Sequence, residues 1–362
     1  IVGVLMVFII GFGRARLRHR EPESFEDWVS QRFGRRLYEI FFRTYTEKVW
    51  GIPCTELSAD WAAQRIKDLS LGKAISQALR PGSNTSTSLI ERFHYPRLGP
   101  GMLYERMAEL IQEGGGAVKR RQTVTKLHRE GFQITEVEVE DAQGNPKRIP
   151  TDHVFSSIPL TVLIESMRPA APEAVLAAAR ALTFRHLLVV NLVVETPKLF
   201  DDTWVYVHSP ELQVGRLQNY RAWSPEMVPS TTHSTIGLEY FTGAGDALWE
   251  KTDAELIALA TRELKATGMV DAAVTDGMVI RAPRAYPVYA RGYESHLGCI
   301  VDWLRKFENL QPIGRYGMFK YNNSDHSIFT ALLAVDNLMG ADHDVWAVNA
   351  DESYHEAAEV EG

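Results

Sequence analysis

The chain has 362 residues, 45% of them hydrophobic and 23% charged, with a formal net charge of −7. That is enough for two domains or one large interleaved α/β body with a sizeable core, and no Lys/Arg cluster is interleaved with aromatics, which argues against nucleic acid as a partner. Cys54 and Cys299 match no metal or redox spacing, so both are expected to be reduced and buried in a cytoplasmic protein.

Residues Ile1 to Ile10 form an apolar run, followed by Gly11-Phe12-Gly13-Arg14-Ala15-Arg16. The run is shorter than the roughly 20 apolar residues a bilayer span needs, and arginines follow it rather than precede it, which fits a signal peptide poorly. A core helix and a peripheral contact of residues 1–20 with the inner membrane face both stay open. Gly11-x-Gly13 makes a poor dinucleotide fingerprint, because Arg16 stands where the third glycine belongs.

Ser24-Phe25-Glu26-Asp27 reads as a capping box. Phe25, Trp28, Val29, Phe33, Leu37, Ile40 and Phe41 recur at helical spacing, which predicts a helical hairpin around Gly34 with most of its aromatics in the core. Gly51-Ile52-Pro53 ends that unit, Ser58 caps a further helix through Trp61, Ile66 and Leu69, and Pro81 to Ser88 is a polar loop. A Gly/Pro turn at Tyr95 to Gly101 precedes an amphipathic helix from Met102 to Glu113, stopped by Gly114-Gly115-Gly116.

Strands are predicted at Ala117 to His128, Phe132 to Glu140 and His153 to Ser157, with a hairpin turn at Asp141 to Pro146. Leu187 to Val194, Trp204 to His208, Gln213 to Gln218 and Thr235 to Phe241 read as a mostly antiparallel sheet. Thr252-Asp253-Ala254-Glu255 opens a helix that stops at Gly268.

No Gly-x-Ser-x-Gly elbow, His-Glu-x-x-His pair, Walker loop or zinc spacing appears, so hydrolase, zinc-enzyme and P-loop chemistry have no positive support. The most informative stretch is Gly314-Arg315-Tyr316-Gly317-Met318-Phe319-Lys320-Tyr321-Asn322-Asn323-Ser324-Asp325-His326-Ser327, which runs into the apolar segment Ile328 to Leu338. Glycines let backbone approach a ligand closely, and a helix start offers unpaired N–H groups and partial positive charge, so an anionic ligand is well placed there. An ordinary capped helix after a strand explains the same pattern. Arg216 and the tyrosines Tyr286, Tyr289 and Tyr293 are further pocket candidates, since a buried arginine needs a partner and an anionic substrate is one choice. His296 and His326 read as structural histidines.

These pieces together resemble the flavin-dependent amine oxidase superfamily, in the branch of protoporphyrinogen oxidase and UDP-galactopyranose mutase. The resemblance rests on Ser24 to Trp28, Arg32 to Tyr38, Tyr45 to Gly51, Tyr95 to Gly101, Tyr286-Pro287-Val288-Tyr289 and Gly314 to Ser327. It implies an α/β fold: a partial Rossmann-like FAD-binding domain interleaved with an antiparallel-sheet substrate domain and a helical cap. Residues 24–92 would be the cap, 93–160 an FAD-domain segment, 161–310 the substrate domain and 311–345 the C-terminal FAD-binding segment. The dinucleotide fingerprint is expected upstream of Ile1.

By the same resemblance, Val124 in Gln122-Thr123-Val124-Thr125 touches the adenine with its backbone, and Phe155 to Pro159 is a strand whose small residues permit close approach to the cofactor. Gly314 and Gly317 lie beside the flavin, while Asn323, Asp325, His326 and Ser327 hold its ribityl and phosphate groups, although Asp325 also reads as a plain N-cap. Arg315 and Tyr321 match a mutase pattern that contacts a substrate diphosphate; apart from the resemblance, Arg216 and Tyr289 are the further substrate-binding candidates read from the residues themselves. The pattern breaks at Asn323, where mutases carry an acidic residue. The implied activity is hydride transfer from a small organic substrate to FAD. The alternatives are a mutase-like isomerisation of a nucleotide sugar and a non-catalytic fragment.

Overall fold

The structure is a computed structural model that describes residues 21–65 and 93–349. The expectations for residues 1–20, for Ile66 and Leu69 and for Pro81 to Ser88 lie outside those residues.

Ser24 caps the first helix, Phe25–Phe33, accepting from the Asp27 N–H at 3.1 Å, and Gly34 at φ 86° breaks it. After a short turn, Arg35–Leu37, the chain forms a π turn at Tyr38–Phe42. This wider turn displaces the helical register: Tyr38 is fully buried, whereas Ile40 and Phe41 are each 54% exposed. A constant helical period puts Leu37, Ile40 and Phe41 on one face and leaves Tyr38 off it, so the expectation is corrected at Ile40 and Phe41. Phe41 stacks instead on His208, with centroids 4.9 Å apart. Helix Arg43–Trp50 ends at Gly51 in the left-handed region, φ 67°. The Ser58 hydroxyl accepts from the Asp60 N–H at 3.3 Å at the start of Ala59–Arg65.

Helix Gly101–Glu113 forms as predicted, but none of its residues is buried. Leu103, Leu110 and Ile111 are about half exposed. Eleven strands follow among the described residues: β1 Thr123–Glu130, β2 Gln133–Glu140, β3 Pro146–Pro150, β4 Val154–Ser156, β5 Met167–Arg168, β6 Phe184–Val194, β7 Trp204–Tyr206, β8 Arg216–Asn219, β9 Ser234–Thr242, β10 Val274–Pro287 and β11 Leu310–Pro312. β1 begins later than the sequence pattern suggests because Arg121 adopts φ 60°, which ends the exposed Ala117 to Arg121 run before the ladder starts.

The chain divides into two units. One takes its described residues from the chain up to Leu110 and from Arg185–Pro283; the other takes its described residues from Ile111–Phe184 and from 284–349. Two crossings between the units fall within the long strands β6 and β10.

In the first unit the sheet order is β10-β6-β9-β8-β7, and the β6–β9, β9–β8 and β8–β7 pairs are antiparallel. β6 buries Leu188, Val190, Leu192 and Val194, every second residue, as half-buried strands do. Val190 pairs with Leu238 and Leu192 with Ile236. Helix Asp253–Ala266 covers this core with Leu256, Leu259 and Leu264. Each such side chain contributes roughly 1.5–3 kcal/mol through burial. Thr252 and Glu255 close a full capping box at the helix start, with the Thr252 N–H donating to Glu255 Oε2 at 2.8 Å. β10, with Gly277, Pro283 and Pro287, reads poorly as a strand; as the edge of the sheet it tolerates the missing donors.

The second unit holds the sheet β3-β2-β1-β5 and the parallel pair β11-β4. Asn309 joins them: its side chain accepts from the Ile134 N–H and donates to the Ile134 and Asp152 carbonyls, all at 2.8–2.9 Å. On the hairpin the buried Glu138 accepts from Lys126 and lies 3.3 Å from His128 Nε2 and 3.4 Å from Arg148 Nε. The Lys126 hydrogen bond, with smaller help from His128 and Arg148, holds its carboxyl well down, at about 2. A depressed carboxylate contributes stability above its ordinary range near 4.5 and loses it as pH falls through its folded value. Thermal midpoints of Glu138→Gln are therefore expected below wild type at pH 7, with the gap closing between pH 4.5 and about 2. A gap that does not narrow on acidification would contradict this.

Among the described residues no helix is long and apolar enough to cross a membrane.

Candidate functional site

The Gly314 to Ser327 stretch forms a knot in the second unit. It leaves β11 and turns at Gly314, φ 76°, where the backbone N–H donates to the Thr330 hydroxyl at 2.9 Å and the carbonyl accepts from Asn322 Nδ2 at 3.0 Å. Asn322 and Thr330 are almost wholly buried. Neither was singled out by the sequence reading, because a polar side chain that closes a turn reads as an ordinary loop residue until its partners are placed.

Gly317 packs against β4. A Cβ there would overlap the Ser156 carbonyl oxygen, lie 2.6 Å from the Ile313 carbonyl oxygen and reach 3.3 Å from Ser157 Cα. The Ile313 N–H donates to the Ser156 carbonyl at 2.9 Å and the Leu160 N–H to the Tyr316 carbonyl at 3.0 Å, so the turn is laid directly on the Ser156 to Pro159 backbone. The small residues of this segment thus accommodate Gly317, a sufficient structural reason for a glycine at that position.

Arg315 is half-buried and held on several sides. Nε donates to the Ala285 carbonyl and Nη1 to the Asn322 carbonyl, each at 3.1 Å. Its guanidinium carbon lies 4.0 Å from the Tyr321 ring centroid and 4.9 Å from that of Tyr286. The two rings stack at 5.9 Å. No hydrogen bond engages Nη2 among the described residues, and no carboxylate there pairs with Arg315. A guanidinium fixed in orientation by carbonyls and ring faces, with one donor edge remaining, suits a phosphate or carboxylate. Tyr289 is buried and acts from behind, its hydroxyl accepting from the Tyr321 N–H at 2.6 Å while its ring stacks on Tyr293 at 4.7 Å.

Lys320 points away from that edge: Nζ donates to the Trp346 carbonyl and, at 2.9 Å, to that of Val348. Burial pulls this ammonium down to about 8, with Asp344 opposing.

Helix Ser324–Leu338 starts behind Asn323, which is the N-cap. The cap role expected of Asp325 is therefore Asn323's, while Asp325 sits exposed in the first turn. His326 Nδ1 lies 3.4 Å from the Asn323 N–H, a closing contact of the cap that uses one ring nitrogen structurally. The Ser327 N–H donates to the Asn323 carbonyl at 3.0 Å. The Ser324 and Asp325 N–H groups have no partner among the described residues, the usual state of the first turn of a helix.

Val124 lies on β1 in the same unit, in a different sheet from β4 and β11. A register irregularity falls between Val124 and Lys126, and β5 pairs only with Leu127 and His128, which leaves the Val124 end of β1 without a second strand partner among the described residues.

Arg216 lies in the other unit, on β8. It has a carboxylate of its own: Glu239 is its cross-strand neighbour and pairs with Nη2, and both are buried. Trp204 and Phe241 lie against its guanidinium at 4.9 and 4.8 Å. The charge that seemed to ask for an anionic substrate is thus already met by the sheet. Glu239→Ala is expected to cost about 3–5 kcal/mol by stranding a buried cation, measurable as a loss in denaturation midpoint. A loss under about 1 kcal/mol, the value of a solvent-screened pair, would refute that role. Of the cysteines, Cys54 is buried and burial pushes its thiol up to about 12, whereas Cys299 is half-buried; both are free.

One unit carries a mostly antiparallel sheet, and the other carries a parallel strand pair whose glycine turn passes into a helix. The chain shares this fold with a reduced UDP-galactopyranose mutase at TM-score 0.79 and 18% identity, over 96% of this chain and 74% of that one. A putative protoporphyrinogen oxidase from Exiguobacterium sp. 255-15 aligns at TM-score 0.63 and 15% identity, over 90% and 71%. An oxidoreductase from Methanosarcina mazei aligns at 0.57 and 14%, over 91% and 71%. No family model matches the chain.

Proposed function

We propose that the protein is an FAD-dependent oxidoreductase that takes hydride from a small organic substrate. The observation that carries it is the Gly314 to Ser327 turn, laid on β4 and opening a 15-residue helix. The residues fit the cofactor in two respects. The unpartnered N–H groups of Ser324 and Asp325 at a helix start suit phosphate or ribityl oxygens, and the free edge of β1 at Val124 suits hydrogen bonding from an adenine. FAD, when bound, supplies hydride acceptance. The chain's own residues supply the rest: Gly314 and Gly317 fix the turn, Asn323 and His326 close the helix start, and Tyr289 steadies Tyr321. Anaerobic addition of a substrate should bleach the bound flavin. Protein from the complete coding sequence whose flavin no amine, porphyrinogen or alcohol donor reduces would count against it.

Arg315 favours a second reading, a mutase-like isomerisation of a nucleotide sugar with no net redox change. A guanidinium held by two carbonyls and two tyrosine rings is pre-organised for the oxygens of a diphosphate. Dithionite-reduced protein incubated with UDP-galactofuranose should then interconvert the ring forms. Recovery of unchanged substrate would remove this reading.

A further inference from the structure

We propose that residues 345–349 form a strap that positions Arg315, fastened by Asn349 and Lys320. The inference rests on reading Arg315 as an anion-binding group. Neither fastening touches the guanidinium; each acts through the backbone that carries or meets it.

Asn349, at φ 56°, bridges two groups of the turn with one amide nitrogen: Nδ2 donates to Asn322 Oδ1 at 3.0 Å and reaches the Tyr321 carbonyl at 3.3 Å. Asn322 is thereby gripped at both ends of its side chain, since its own Nδ2 holds the Gly314 carbonyl. The Asn322 carbonyl is the acceptor for Arg315 Nη1. Movement of Asn322 therefore moves a partner that aims the guanidinium.

Lys320 fastens the other end. Its Nζ holds the Trp346 and Val348 carbonyls, while its backbone N–H donates to the Arg315 carbonyl at 3.1 Å. Val345 and Val348 are buried, which anchors the strap itself. A small misplacement of an orienting charge costs much of its binding energy, so loosening either fastening should weaken anion binding without removing the binding group.

The test uses protein expressed from its complete coding sequence, with UDP and inorganic pyrophosphate as probes in titration calorimetry. Asn349→Gly keeps the left-handed backbone accessible and removes the amide; Lys320→Met keeps the apolar stem and removes the ammonium. Each is expected to raise the Kd about tenfold with FAD content retained. In an Arg315→Ala background neither should weaken binding further, because both act through Arg315. Effects that multiply in the double variants, as independent structural damage would, overturn the inference. So does wild-type affinity in both single variants when Arg315→Ala has lost the probe. Wild-type protein that binds neither probe overturns the reading of Arg315 and the strap with it.

Discussion

Gly317→Ala is expected to lower stability by about 3 kcal/mol, because overpacking against fixed backbone forces a shift that neighbouring side chains cannot absorb. The new methyl would meet the carbonyl oxygens of Ser156 and Ile313, both within the packed layer of β4 and the turn. The turn must lift, and with it the Tyr316 carbonyl that receives the Leu160 N–H. Under the proposed function the same change should abolish FAD retention, so a denaturation curve and a flavin spectrum of one preparation check both. A variant as stable as wild type would show that the β4 contact does not constrain this position.

Arg315→Ala carries the second large effect. If Arg315 binds a diphosphate, loss of charged hydrogen bonds worth about 1.5–3 kcal/mol should weaken UDP roughly 10- to 150-fold. Arg315→Lys should recover only part, since an ammonium cannot reproduce two directed contacts to carbonyls together with an open edge. Removing the side chain also takes donors from the Ala285 and Asn322 carbonyls, so some stability should go with the affinity. UDP affinity unchanged in Arg315→Ala would place the anion elsewhere or nowhere.

Local chemistry was legible in the sequence. Ser24 and Thr252 cap the helices their patterns predict, Gly51 stops one, and the alternation in β6 announces a half-buried strand. What stayed hidden depends on partners distant along the chain. Glu239 satisfies Arg216 across a strand pair, and Asn309 meets Ile134 across 175 residues; neither pairing leaves a trace in spacing. The π turn at Tyr38–Phe42 was missed because a constant helical period is assumed when apolar residues are counted, and one wide turn moves Ile40 and Phe41 to the surface. In the candidate site, the glycines and Arg315 could be picked out as residue types. The grip of Asn322, Thr330 and Asn349 on the turn could not, because small polar residues acquire roles only from the geometry they close.

The flavin content of the protein expressed from its complete coding sequence decides whether it is a flavoenzyme. A yellow protein with one FAD per chain, bleached reversibly by a reductant, is expected, with the flavin lost in Gly317→Ala. Colourless protein that takes up no added FAD would contradict it.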